Sequence, residues 1–180
     1  MKRTITLKGK SGEKGQAVVE LALVLSLVLI PLLFGVFDYS RAIHATSIIT
    51  QMSREAANLV ARPNTSLTGD DVTDFQNAMY FIAKDAGQLD MMNQGMMYIT
   101  KVQYVGTSNR ITVKVPWNQG NSSLTSNYPA VNRNVTDAQL GNINLSDANP
   151  VAYVVEVLYK YNSIFLVNTF SPTLYSVSIF

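Results

Sequence analysis

Hydrophobic and polar positions divide the chain into three patterns. Residues 21–37 form an uncharged, almost wholly apolar run, and the residues after it turn amphipathic, with Ala45, Ile48, Ile49, Met52, Ala56, Leu59 and Val60 spaced three or four apart. That spacing predicts one apolar stripe on a helix that outlasts the uncharged run. The helix should stop at Arg62, because Pro63 disfavours helical geometry in the residue before it. A second amphipathic helix is expected after Thr68-Gly69-Asp70-Asp71, where Thr68 or Asp70 caps and the acids suit the positive helix end. Val72, Phe75, Met79, Ile82, Ala83 and Ala86 then recur at helical spacing, and Gly87 suits the exit.

From Met96 the period changes to two. Met97, Ile99, Lys101 and Gln103 alternate with Tyr98, Thr100, Val102 and Tyr104, and Ile111, Val113 and Val115 alternate with Thr112 and Lys114. This predicts two strands joined by a hairpin turn at 106–109. Further strands are expected over 151–161 and 174–180, with Pro172 ahead of the last rather than within it. Between them, residues 117–149 carry eight asparagines and little charge, which predicts a long loop with a short helical turn at 136–140 and a surface for variable contacts. The fold class is therefore α+β: a long N-terminal helix and a second helix packed on a small antiparallel sheet.

The 17 residues of the uncharged run rise about 25 Å as a helix, and Ala17, Val18 and Val19 bring it near the ~30 Å hydrocarbon core of a bilayer. Residues 1–15 hold five basic side chains against Glu13, whereas the remainder has nine basic and eleven acidic residues. By the positive-inside bias, the N-terminus is expected in the cytoplasm and the body outside, with Asp38 and Arg41 as sparse flanking charges. A cleavable secretory signal fits less well, since its apolar region usually spans about 7–15 residues and ends in an A-x-A-like site. Pro31, inside the span, removes one backbone hydrogen bond and predicts a kink or loosened turn.

One residue stands out against this background. Glu20 sits just inside the apolar stretch, and a carboxylate at membrane depth costs about 2.5–3.5 kcal/mol by insertion scales, so it calls for a specific partner. Together with its surroundings, it carries a resemblance. Gly15-Gln16-Ala17-Val18-Val19-Glu20 leading into Leu21-Ala22-Leu23-Val24-Leu25, then Gly35-Val36-Phe37-Asp38-Tyr39, then Arg54-Glu55-Ala56-Ala57 with Ala61-Arg62, resemble the TadE-like minor pilins or pseudopilins of the bacterial Tad/Flp type IV pilus system over residues 11–62. The resemblance implies cleavage by a prepilin peptidase between Gly15 and Gln16, which makes Glu20 the fifth mature residue. It also implies association with other pilin subunits. Members often carry proline where this chain has Ser26, with Pro31 five residues later.

The resulting division is a cytoplasmic leader at 1–15, a transmembrane and extended helix at 16–62, and an extracytoplasmic α+β domain at 63–180. The expected location is the bacterial inner membrane, single-pass, with possible incorporation into an extracellular pilus. Cleavage at Gly15, as the resemblance implies, would create an α-amine that Glu20 on an adjacent subunit could neutralise, a pair suited to setting register; the plainer alternative leaves Glu20 solvated and unpaired at the head-group boundary. Small residues Ala17, Ala22 and Gly35 favour close helix approach.

Other chemistry finds little support. The chain has no cysteine and one histidine, His44, so thiol chemistry and histidine-rich metal sites have no basis, and no cofactor is expected. Asp70, Asp71 and Asp74 read as cap and dipole residues rather than a calcium site, and Met91, Met92, Met96 and Met97 as core filling rather than a soft-metal site. The body lacks the basic surface that nucleic acid requires. Asn64, Asn121, Asn134 and Asn144 begin N-x-S/T triplets, for which no glycosylation is expected. The alternative function is a bitopic membrane protein whose outer domain binds a ligand or aids secretion; an extracytoplasmic enzyme has the least behind it.

Overall fold

The computed structural model describes residues 11–62, 70–165 and 171–180. The long helix α1 runs Ser11–Ala61, unbroken through Pro31. Its end beside Pro63 agrees with the steric block that proline imposes on the preceding residue. The second helix, α2, spans Asp71–Asp85, and the Asp70 side chain caps it by accepting from Val72 N. Thr68, the other cap candidate, lies outside the described residues. Gly87 follows at φ +63°, the left-handed geometry that glycine adopts at low cost past a helix end. A four-residue helix, α3 (Met91–Gln94), then leads directly into the sheet.

Five antiparallel strands follow: β1 Gly95–Val105, β2 Ser108–Pro116, β3 Asn134–Val135, β4 Val151–Lys160 and β5 Thr173–Ile179, in the order β3-β2-β1-β4-β5. β1 and β2 meet at a two-residue turn, with Val105 opposite Ser108 and Gly106 at φ +66°. Pro172 precedes β5, its carbonyl accepting from Tyr161 N at 3.0 Å.

One face of the sheet carries the helices. Ala45, Ile49, Met52 and Ala56 of α1 bury together with Phe75, Met79 and Ile82 of α2 and with Met97, Ile99, Val155 and Val157 of the strands. Met91 and Met96 also fill this core, whereas Met92 and Val72 are exposed. Burying apolar side chains of this size stabilises by about 1.5–3 kcal/mol each. Ser53, fully buried on the same stripe, meets the β5 hydroxyls of Ser176 at 2.9 Å and Ser178 at 3.0 Å. Small side chains there let helix and strand approach with their polar atoms paired. Asp71 at the start of α2 pairs with Lys101 of β1 at 2.7 Å.

The opposite face departs from the alternation expected of the sequence. A register shift between Lys101 and Val102 adds a residue to β2, so Ile111 faces away from Val113 and Val115. Bulges of this kind flip every later side chain on the strand. Ile111 and Val102 instead join Ala152 and Val154 in a second core, closed by Val135, Leu140 and Leu145 from the 117–149 segment. That long segment is thus a layer folded over the sheet, with Val135, Leu140 and Leu145 buried against it while Val131 stays exposed. The short turn expected at 136–140 is present, with Leu140 N donating to Thr136 O at 3.2 Å.

A buried acid fastens this layer. Glu156, in the middle of β4 and fully buried, accepts from Ser126 Oγ, from Asn127 N at 2.9 Å and from Tyr175 Oη at 3.1 Å. Lys114 donates to the Tyr128 and Pro129 carbonyls at 2.6 and 3.0 Å. Burial pushes the Lys114 ammonium below the usual lysine range, against the opposing pull of Glu156, and burial likewise raises the Tyr175 phenol. Charges held in low dielectric need this degree of satisfaction.

Leu140→Ala should therefore cost about 2–5 kcal/mol in chemical unfolding of the detergent-solubilised chain, as for a core leucine. A change within about 0.5 kcal/mol, the range of a surface substitution, would show the 117–149 segment to be a loose appendage.

Candidate functional site

The features that bear on function lie along α1, in two places. At its N-terminal end Gly15, Gln16 and Glu20 are exposed on consecutive turns of helix. Gln16 Nε2 donates to Glu20 Oε1 at 3.1 Å, the i to i+4 contact that helical spacing provides. A Cβ at Gly15 would meet nothing within 4 Å, so packing within the chain does not require glycine there. Between these residues and Phe37 the apolar side chains stay outside the folded body: Val24, Leu27, Ile30 and Leu33 are each at least half exposed. An 18-residue window of this helix has mean hydropathy 2.7 and none of it is buried. The core helix of a soluble protein would bury such a window; this one leaves it exposed, which suggests a single-pass membrane anchor. Within the anchor Ser26 Oγ returns its hydrogen bond to Ala22 O at 2.7 Å, which satisfies the hydroxyl without water. Gly35, half-buried, has open space where a Cβ would stand.

The second place is where the anchor meets the body. Asp38, the first charge beyond the apolar run, is fully buried rather than a solvated flanking charge. Ser163 Oγ donates to its Oδ2, Ile164 N to Oδ1 at 3.2 Å and Phe165 N to Oδ2 at 3.0 Å. Tyr161 Oη adds a bond to the Asp38 carbonyl at 3.0 Å. Residues 161–165, just past β4, are thereby clamped to the helix. Phe165 completes the clamp by stacking on Phe34, centroids 4.3 Å apart, and meeting Phe37 edge-on at 5.7 Å. Such aromatic pairs add about 0.5–1.5 kcal/mol each beyond their burial.

With that geometry in view, the N-terminal third can be placed. Residues 15–58 match the TadE-like family. The matched segment begins at Gly15, includes Glu20 and the whole apolar run, and ends within the amphipathic half of α1. No curated protein and no solved structure shows significant similarity to the chain. The match covers about a quarter of the chain and suggests a Tad pilus-associated protein.

The matched segment contains the α1 side of both places, and the structure keeps them apart: Gly15, Gln16 and Glu20 sit at the far end of the apolar run from Asp38. Arg41 and His44 are exposed about one and two turns beyond Asp38 and line a shallow hollow of about 270 Å³ with Tyr159 and Tyr161. Asp70 caps α2, as its position at the helix start implied, and Asp71 additionally pairs with Lys101. Among the described residues no cluster of three or more His, Asp or Glu is arranged to hold a metal.

Sequence reasoning missed Asp38 as a structural acid because its donors lie 125 to 127 residues away. A signal was present: the acid stands within Gly35-Val36-Phe37-Asp38-Tyr39, one of the strings that carried the family resemblance. Asp38→Ala should orphan the Ile164 and Phe165 amides, at about 1–3 kcal/mol for each buried donor. Hydrogen exchange across residues 161–165 should accelerate strongly in this variant; unchanged protection would mean that Asp38 does not hold the clamp.

Proposed function

We propose that this chain is a minor pilin or pseudopilin, processed by a prepilin peptidase between Gly15 and Gln16 and then associated through α1 with other pilin subunits of a Tad pilus. The leader is residues 1–15, the anchor and extended helix 16–62, and the body 63–180 faces away from the cytoplasm. One observation carries this reading: an apolar stretch of helix with none of its residues buried in the folded body, in a segment that matches the TadE-like family from Gly15 onward.

The mechanism is association. A helix whose apolar side chains are left mostly exposed by their own subunit gains nothing from water and packs against lipid or like helices, with Ala17, Ala22 and Gly35 allowing close approach. Cleavage places a positive α-amine on residue 16, four residues and about 6 Å along the axis from Glu20. An amine on one subunit and Glu20 on the next neutralise each other, which removes the cost of each in hydrocarbon and selects one stagger between helices.

Two substitutions test the parts separately. Gly15→Leu should abolish processing, so that immunoblots of peptidase-competent cells show only the longer form; a mature-sized product would place the cut elsewhere. Glu20→Ala should leave processing and membrane insertion intact while lowering co-purification with other pilins about tenfold or more, as expected on losing a pair worth ~1.4 kcal/mol or more. Undiminished co-purification would show that Glu20 pairs with nothing in the assembly.

A further inference from the structure

The clamp at Asp38 has the composition of a membrane contact. Ile164 and Phe165 stand side by side on the loop after β4 with their side chains outward, 53% and 44% exposed, next to Phe34 and Phe37, which are 41% and 52% exposed. Phe34 belongs to the uncharged run and lies three residues, about 4.5 Å along the axis, inside its last member, Phe37. Phe165 is stacked on Phe34 at an interplanar angle of 4°. Whatever depth the Phe34 ring has in a bilayer, the Phe165 ring shares it.

We infer that residues 164–165 enter the lipid, so that the body is held to the bilayer at a second point and rests on its surface instead of standing off on α1. The occupant of this patch is the acyl-chain and head-group boundary of the membrane in which α1 is anchored, and the inference rests on that anchoring. Backbone polar groups brought into a lipid boundary lose their water and need partners within the protein. The Ile164 and Phe165 amides have one: both donate to the carboxylate of Asp38. The same bonds answer for Asp38 itself, an acid immediately beyond the apolar run whose burial would otherwise be costly. Inward-facing donors, a single shared acceptor and outward apolar side chains are what a segment needs to lie in lipid without an exposed polar atom. In water the same patch would be an uncompensated apolar surface.

The test uses the full chain in phosphatidylcholine vesicles made with or without chain-brominated lipid, in a Trp117→Phe background. Single indoles are introduced by Phe165→Trp, Ile164→Trp, Leu25→Trp in mid-span and Val131→Trp as a distal control. Val131 is suited to that purpose because Asn132 N donates to Ile111 O, and Ile111 pairs with the end of β1 next to Ala152, the end of β4 far from the clamp. The indoles at 165 and 164 should each lose most of their emission to brominated lipid, as that at 25 does, while the one at 131 is unaffected. Quenching at 25 without quenching at 164 and 165 overturns the second contact and leaves the anchor standing, whether water or another subunit covers the patch. Absence of quenching at 25 as well overturns the anchor and the inference together.

Discussion

The structure turns on a carboxylate at the limit of an apolar run. Asp38 marks the point at which α1 passes from a largely exposed apolar run to the stretch that carries a domain. Left alone there it would be a buried charge without compensation; with Ser163 and the amides of Ile164 and Phe165 donating to it, it becomes the fastening between anchor and body. It fixes where β4 ends relative to α1, and so which face of the sheet Ala45, Ile49, Met52 and Ala56 cover.

The body uses the same device a second time. Glu156 sits in the sheet as Asp38 sits on the helix: fully buried, fed by a hydroxyl and a backbone amide from a distant loop. In both cases an acid on a regular element recruits an irregular segment and gives it one position. The 117–149 layer has only the two residues of β3 in a strand, so regular backbone pairing contributes little to holding it. Its place comes from Glu156, the Lys114 bonds and the second core around Leu140. Buried acids are costly alone, yet once paired they distinguish one arrangement from its near neighbours, the role proposed independently for Glu20 between subunits.

What could be read from the sequence was local and periodic. The extent of α1, its stop before Pro63, the Asp70 cap, the four principal strands and the α+β class all follow from spacing of apolar residues and from proline and glycine positions. What could not be read depended on partners far along the chain. The bulge that turns Ile111 to the second core leaves no mark in the alternation of 111–115. Leu124, Val135, Leu140 and Leu145 are spaced without period, so the layer they build resembles a loop until the sheet beneath it is known. Asp38 and Glu156 look like ordinary charges because their donors are supplied by the tertiary fold. Gly15 and Glu20 were legible for the opposite reason: their meaning lies in the chain's own order, with no demand on the fold of the body.

The account's central claim is that this anchor is exposed for assembly after a single cut. Intact-mass measurement of the protein isolated from membranes of cells that contain the prepilin peptidase tests it most directly. The account predicts a chain beginning at Gln16, with Glu20 four residues from the new amine. A chain still beginning at Met1 would contradict it and leave a permanently membrane-bound accessory protein as the better description.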